Sequence, residues 1–326
     1  MPRTLTSFGL LAVMLGGVGI AVAADTAPDY PRAPIRLVVN FPAGGTADIL
    51  GRIVGQKLAE KWNQPVTIDN RVGAGGNIGA QAAYAAEPDG HTLLVSPPGP
   101  LAINQSLYKK LPFDAARFVP VTLLAQIPNV IATRVDLPAS SVRELLAYAK
   151  ANPGRVSYAS QGNGSTSHLS GQMLASMGGV ELIHVPYKGE GPALVDLMAG
   201  RVDLFVGNVS AVLKFRQDRK VRFLAMASAR RSANAPDVPT AAEAGLPGFE
   251  ASAWFALVAP PGTPGAVASK LQTAVAEALA TQDVQQRVLA LGGEVSGMSP
   301  AELSGFLAAE RVRWKKVIDT ANVTLD

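Results

Sequence analysis

Residues 35–62 read IRLVVNFPAGGTADILGRIVGQKLAEKW. An unbroken apolar run leads into a turn that contains Gly44 and Gly45, and an amphipathic helical pattern follows. This order of strand, glycine turn and helix predicts an α/β fold with a largely parallel sheet. Backbone N–H groups at the start of the helix would favour an anion in the turn. A simpler interpretation, in which the glycines only permit a tight turn, remains open at this point.

The same alternation of short apolar runs and helical patterns continues along the chain. Most runs are unbroken, which is typical of strands that are buried on both faces. Two capping boxes mark helix starts, one from Ser141 to Glu144 and one from Ser299 to Glu302. The runs predict eight strands, at 35–39, 66–68, 92–95, 156–159, 182–185, 203–206, 222–227 and 255–259.

Two segments are candidates for crossovers between two domains. Residues 122–134, TLLAQIPNVIATR, are interpreted as an outward crossover. Residues 228–250 are rich in proline and small residues and are interpreted as the return. Two crossovers would combine the N-terminal and C-terminal parts of the chain into one domain and leave the middle as the other.

The N-terminal 24 residues have the pattern of a secretory signal peptide. A single basic residue, Arg3, precedes an apolar stretch that ends in small residues, and cleavage after Ala23 or Ala24 fits equally well. The sequence contains no cysteine, so disulfides and a lipid anchor on cysteine are excluded. We therefore expect an exported protein in the periplasm. A net charge of +4 is too small to favour nucleic acid as a partner.

The sequence lacks the motifs of the common cofactor and metal sites. No lysine follows Gly44-Gly45, so a phosphate-binding P-loop is disfavoured. The glycines of GAGGNIG at 73–79 do not have the dinucleotide-binding spacing, and a turn with a helix entry is favoured there. Three histidines without cysteine supply too few zinc ligands. We expect neither a cofactor nor a metal.

A second glycine turn occurs in YASQGNGSTSHLSGQML, residues 158–174. Hydroxyl groups and glycine N–H groups come together at a predicted helix start, with Ser165 as the N-cap. Capping alone could explain the pattern. The alternative is an exported α/β hydrolase in which Ser165 or Ser160 works with His168, but no carboxylate lies nearby in the sequence to orient the base.

Several motifs, in order, resemble the Bug family of periplasmic solute-binding proteins, the receptors of tripartite tricarboxylate transporters. They are FPAGGTADILGR (41–52), VTIDNRVGAGGNIGA (66–80), PDGHTLL (88–94), YASQGNGSTSHL (158–169), HVPYKGEGPAL (184–194), GRVDLFVGN (200–208), PTAAEAGLPGFE (239–250) and WFALVAPPGTP (254–264). Each is weak alone, but the ordered set is specific. Gly51 stands where the family often has alanine, and the segment at Asn208 and Val209 varies with the ligand.

The resemblance implies a two-domain periplasmic binding protein of type II-like α/β architecture, with two crossovers and a ligand cleft between the domains. Residues 25–125 and 248–326 would form one domain and residues 126–247 the other. It implies no catalysis and no cofactor. The ligand would be a small di- or tricarboxylate, an acidic amino acid or an aromatic acid, delivered by a monomer to transporter membrane subunits or used in sensing.

The family also implies that both glycine turns hold carboxylates, the first turn partly through water. A β-branched residue at Gly45 would either forbid the backbone angles or block the anion. Ser96 and Pro97, after the third strand, should line the same gap, whereas Tyr187 and Lys188 could instead be structural turn residues. The predicted ligand-binding residues are Phe41, Pro42, Ala43, Gly44, Gly45, Thr46, Asp48, Ser96, Pro97, Ser160, Gly162, Asn163, Gly164, Ser165, Thr166, His168, Tyr187, Lys188 and Asn208.

Overall fold

The structure is a computed structural model that describes Met1, Ala27, residues 29–321 and residues 323–325. The expected signal peptide, residues 1–24, lies outside the described residues except for Met1. In the described part of the chain, no helix is both long enough and apolar enough to span a membrane.

The described strands form one ten-stranded mixed sheet. The strands are β1 (Ile35–Val39), β2 (Val66–Asn70), β3 (Thr92–Ser96), β4 (Val119–Arg134), β5 (Ser157–Ser160), β6 (Ile183–Pro186), β7 (Leu204–Asn208), β8 (Val221–Met226), β9 (Ser252–Ala259) and β10 (Glu294–Val295). The eight predicted strands are confirmed, with shifted ends.

The order of strands along the sheet is β2-β1-β3-β9-β4-β7-β5-β6, and β8 and β10 also pair with β4. Strand β1 is parallel to β2 and β3, and β5 is parallel to β6 and β7. The pairs of β9 with β3 and β4, and of β4 with β7 and β8, are antiparallel. The predicted α/β class is therefore confirmed, with parallel strands on both sides of an antiparallel centre.

Strand β4 connects the two sides of the sheet. Its residues 119–128 pair with β9, and residues 129–133 pair with β7. The outward crossover predicted at 122–134 is thus part of a continuous strand, because partners from distant parts of the chain pair with both of its halves. Residues 228–250 are irregular apart from one bridge at Thr240, in agreement with the interpretation of this segment as a return connection.

Helices fill the connections between strands. They are α1 (Thr46–Trp62), α2 (Asn77–Tyr84), α3 (Asn104–Leu107), α4 (Val142–Ala151), α5 (Thr166–Gly178), α6 (Glu190–Met198), α7 (Val209–Gln217), α8 (Gly265–Ala280), α9 (Gln282–Ala290) and α10 (Pro300–Thr320). Ser141, Ser165 and Ser299 each accept a backbone N–H at the start of α4, α5 and α10. Of the two predicted capping boxes, the one at Ser299 and Glu302 is complete. In the other, Glu144 bonds to Ser140 instead of the backbone of Ser141.

Helix α1 packs closely on the sheet and thereby fixes the position of the first glycine turn. Its residues Leu50, Ile53 and Leu58 are buried in a cluster with residues of β1 and β3. A Cβ atom at Gly51 would lie 3.1 Å from Val39 Cγ2, so the small residue lets the helix approach the strand. The N-terminus of α1 consequently lies at the carboxyl end of β1, where ligands bind in open α/β sheets.

Candidate functional site

The first glycine turn is held in place by the carboxylate of Asp48, which is only 2% exposed. This carboxylate accepts hydrogen bonds from the Gly44 N–H at 2.9 Å, from Arg52 Nε at 2.9 Å and from Asn70 Nδ2 at 3.0 Å. Burial raises the pKa of Asp48, but the bonds from Arg52, Gly44 and Asn70 outweigh it and leave the pKa below its usual value. Asp48 is therefore a support behind the turn.

The two glycines of this turn differ in their backbone angles. Gly44 has a φ of +79°, a conformation that favours glycine. Gly45 precedes α1 with a φ of −77° and a ψ of 168°, which any residue can adopt. Of the two reasons given above for a glycine at 45, the backbone reason is wrong, and close approach to the site is the one that remains. A Cβ atom there would lie 3.8 Å from Glu190 Oε2.

A cavity of about 360 Å³ opens beside the first turn. It is bounded by the turn itself, by the start of α6 and by the segment from β7 into α7. Apolar walls come from Ile49, Leu194, Phe215 and Phe255. The sequence-predicted residues that line it are Phe41, Pro42, Ala43, Gly44, Gly45, Thr46, Pro97, Lys188 and Asn208.

The polar centre of the cavity is the carboxylate of Glu190, which sequence reasoning missed. Glu190 Oε1 accepts hydrogen bonds from Gln161 Nε2 at 2.7 Å, from Asn208 Nδ2 at 2.7 Å and from Thr46 Oγ1 at 3.0 Å. Ser210 Oγ lies 2.8 Å from Thr46 Oγ1. Burial raises the pKa of Glu190, while bonds from the Thr46 and Asn208 side chains and from the Thr46 backbone oppose the rise.

The second glycine turn reaches the cavity only through Gln161. Its other donors have partners close by. The N–H of Gly162 donates to Ser160 Oγ at 3.1 Å, and the N–H of Gly164 donates to His168 Nδ1 at 3.4 Å. Ser165 Oγ donates to the Gly162 carbonyl at 2.6 Å.

Two of the remaining predicted residues near these turns, Ser96 and Tyr187, are bonded to side chains outside the cavity lining. Ser96 Oγ accepts from Asn40 Nδ2 at 2.8 Å beneath the first turn. The Tyr187 hydroxyl donates to Asp196 Oδ2 at 2.7 Å, and burial together with Asp196 raises the pKa of Tyr187 to about 12. The predicted residues outside the cavity lining are Asp48, Ser96, Ser160, Gly162, Asn163, Gly164, Ser165, Thr166, His168 and Tyr187.

The hydrolase alternative requires Ser165 or Ser160 to pair with His168, and neither does. Ser160 Oγ lies 2.7 Å from Nε2 of a different histidine, His184. The Ser165 hydroxyl accepts the backbone N–H of His168 as a helix cap and donates to a carbonyl, so it makes no bond to the imidazole. The ring of His168 is stacked on His184 with centroids 4.1 Å apart. Burial lowers the pKa of His168 to about 4, and burial together with His168 lowers that of His184 to about 3.

Two larger depressions, of about 1060 Å³ and 840 Å³, lie elsewhere on the surface. Their walls contain none of the predicted site residues, and some of their arginines form surface ion pairs, such as Arg216 with Asp237 and Arg231 with Glu243. The described residues contain no group of three or more acidic or histidine side chains that could hold a metal ion. The cavity around Glu190 is therefore the candidate site.

Gln161, Glu190 and Ser210 are the polar residues that sequence reasoning left out. Each comes directly after or within a segment already singled out, at the end of a strand or the start of a helix. For Glu190 a signal existed, because a charged residue stands between Gly189 and Gly191 in a predicted turn. The sequence did not indicate that its side chain turns across the cleft.

The cleft lies beyond the carboxyl ends of the strands of a mixed α/β sheet, which is the usual position of a ligand site in such folds. Residues 50–323 match the family described as "Tripartite tricarboxylate transporter family receptor". The chain belongs to this family of receptors, and it is a binding protein and not an enzyme.

Solved structures of similar proteins agree with this assignment. R. palustris Rpa4515 with adipate is 38% identical with a TM-score of 0.88, covering 91% of this chain and 99% of that one. The periplasmic binding protein BugD is 34% identical with a TM-score of 0.86, covering 90% and 99%. MatC from Rhodopseudomonas palustris with bound malate is 35% identical with a TM-score of 0.84, covering 89% and 100%.

Proposed function

We propose that this protein binds a small carboxylate in the periplasm, in the cavity between the first glycine turn and the start of α6. The observation that carries the proposal is the convergence of the Thr46 hydroxyl with the side-chain amides of Gln161 and Asn208 on one carboxylate position. Neutral donors at a helix N-terminus bind carboxylates without a paired arginine. Two of the similar proteins contain adipate and malate, which are both dicarboxylates.

The size and walls of the cavity favour a short ligand. Its volume of about 360 Å³ is at the lower end of the range of roughly 300–1,000 Å³ for ligand pockets. Phe41, Leu194 and Phe215 would contact a hydrocarbon portion. Lys188 also lines the cavity and is the natural partner for a second carboxylate. These features favour a dicarboxylate with an apolar middle over a tricarboxylate.

We further propose that residues 25–125 and 248–326 form one domain and residues 126–247 the other. The exchange of partners along β4, from β9 to β7 after residue 128, supports a boundary close to this point. The site would then lie between the domains, because Thr46 belongs to the first domain and Gln161, Glu190 and Asn208 to the second. Closure of the domains on the ligand would complete the donor set.

The protein would act as a monomer that passes its ligand to the membrane subunits of a tripartite transporter. The second glycine turn, with Ser160 and Ser165, stays in the proposed site and would act together with Lys188 on the second carboxylate. Its donors would have to exchange their present internal partners for the ligand. The signal peptide would be removed near Ala23 or Ala24.

The experiment is a binding screen on the mature protein. Thermal-shift measurements with mono-, di- and tricarboxylates, acidic amino acids and aromatic acids would be followed by calorimetry on the acids that shift the midpoint. A ligand at 100 times its dissociation constant should stabilise the protein by about 2.7 kcal/mol. Chromatography should recover the acid unchanged. If no acid gives a shift or a heat of binding, the proposal is wrong.

A further inference from the structure

Glu190 is the first residue of α6, yet its carboxylate contacts the start of a different helix, α1. Its hydrogen bonds join Thr46 of the first turn to Gln161 and Asn208, which come from the middle of the chain. Every one of these partners is a donor. None of the ion pairs found among the described residues includes Glu190, and the donors that bond to its carboxylate are neutral.

The Glu190 carboxylate is bound by the protein in the way that a ligand carboxylate would be. A carboxylate at the positive end of a helix, with a hydroxyl and two amides donating to it, is what the proposed site would offer to a small acid. Here one of the chain's own side chains takes that position. The Thr46 hydroxyl has one hydrogen and can donate it to only one carboxylate at a time, and two like charges in a partly buried cavity repel each other.

The backbone on either side of Glu190 is glycine. Gly189 is packed against Pro42, where a Cβ atom would lie 2.9 Å from Cγ, whereas a Cβ atom on Gly191 would meet nothing within 4 Å. Burial raises the pKa of Glu190, so the charged form is held at a cost in this position. An occupant whose charged form is held at a cost, by neutral donors, is suited to displacement.

We propose that Glu190 is a built-in occupant of the carboxylate subsite, which an incoming ligand carboxylate must displace from Thr46, Gln161 and Asn208. This inference rests on the proposed function. Glu190 then sets the affinity of the receptor, because every ligand competes with it. It also disfavours carboxylic acids that bind weakly because they make few other contacts with the protein.

The test compares three variants with the wild-type protein. Glu190→Ala removes the occupant, and Glu190→Gln keeps its shape without the charge. Glu277→Ala removes an exposed carboxylate on α8 and is the matched control. Calorimetry with adipate, malate and aspartate gives the dissociation constants, and urea unfolding of the ligand-free proteins reports on folding.

We expect Glu190→Ala to bind at least one of these acids tenfold or more tightly than the wild type. Glu190→Gln should lie between the two, and Glu277→Ala should stay within about threefold of the wild type. Equal or weaker binding by Glu190→Ala, with unfolding unchanged, would overturn the inference. So would a selective loss of aspartate binding in Glu190→Gln, because Glu190 would then recognise an ammonium group.

A crystal structure of the liganded wild type gives a second readout that does not depend on how the variants fold. The inference predicts that the Glu190 carboxylate has left Thr46, and it fails if that hydrogen bond persists beside the bound acid. Failure of the proposed function has a different signature. In that case neither the wild type nor Glu190→Ala binds any acid of the wider panel.

Discussion

Substitutions at Gly45 and Gly44 distinguish two effects of an added side chain, which are obstruction of the ligand site and strain in the backbone. A Cβ atom at Gly45 would lie 3.2 Å from the Pro42 carbonyl oxygen and 3.8 Å from Glu190 Oε2, with backbone angles that any residue can adopt. The γ-methyl groups of a valine reach about 1.5 Å further. They would therefore overlap the carboxylate position.

We expect Gly45→Val to lower affinity for the acid found in the screen at least tenfold, or about 1.4 kcal/mol. It should also cost about 1–3 kcal/mol of unfolding free energy, because the added atoms crowd both the Pro42 carbonyl and the Glu190 carboxylate. Gly45→Ala should show a weaker loss of affinity in the same direction.

Gly44→Ala is the matched control. It places a Cβ atom where φ is +79° and where no atom lies within 4 Å. We expect Gly44→Ala to lose about 1–2 kcal/mol of stability, with a smaller change in affinity than Gly45→Val shows. Urea unfolding and calorimetry on each variant provide the two quantities. Normal ligand binding by Gly45→Val, or a larger affinity loss in Gly44→Ala, would refute the reasoning.

Three further predictions concern stability and the second turn. Ser165→Ala should cost about 1 kcal/mol of unfolding free energy as a lost cap; affinity measured in parallel should fall as well, and unchanged affinity would remove Ser165 from the site. Asp48→Asn should cost about 2 kcal/mol, since a buried carboxylate loses charge-assisted hydrogen bonds; an unchanged urea midpoint would contradict its supporting role. Because the pKa of His168 is lowered to about 4 and that of His184 to about 3, the unfolded chain takes up protons first as the pH falls below about 6.5. Stability should therefore fall between pH 6.5 and 4, by about 2 kcal/mol at pH 5 for His168 alone, and an equal fall in His168→Gln would refute this.

Local patterns were sufficient to predict most of the sheet. Apolar runs such as IRLVV are buried because helices cover both faces of a parallel sheet, and the pattern is therefore visible in the sequence. Strand β4 was only partly recognised and was assigned as a crossover. Pro120 and Pro128 lie inside it, and its pairing with β9 and β7 joins segments that are more than 70 residues apart. Such long-range pairing has no local signal.

In the candidate site, too, the parts that are close in sequence were predictable and the contacts between distant segments were not. The first glycine turn was predictable because strand, turn and helix follow one another in the chain. Glu190 and Gln161 were not predicted, since their meeting with Thr46 depends on how distant segments pack. The family resemblance also gave the hydroxyls of the second turn a ligand, whereas in the structure Ser160 bonds to Gly162 and His184, and Ser165 bonds to Gly162.

The central claim is that a carboxylate binds at the N-terminus of α1. The most direct measurement is a crystal structure of the mature protein with the acid that binds most tightly in the screen. We predict a ligand carboxylate oxygen within about 3.2 Å of Thr46 Oγ1 and of the amide nitrogen of Gln161 or Asn208. A ligand found instead in one of the two larger surface depressions, with Glu190 still bonded to Thr46, would contradict the account.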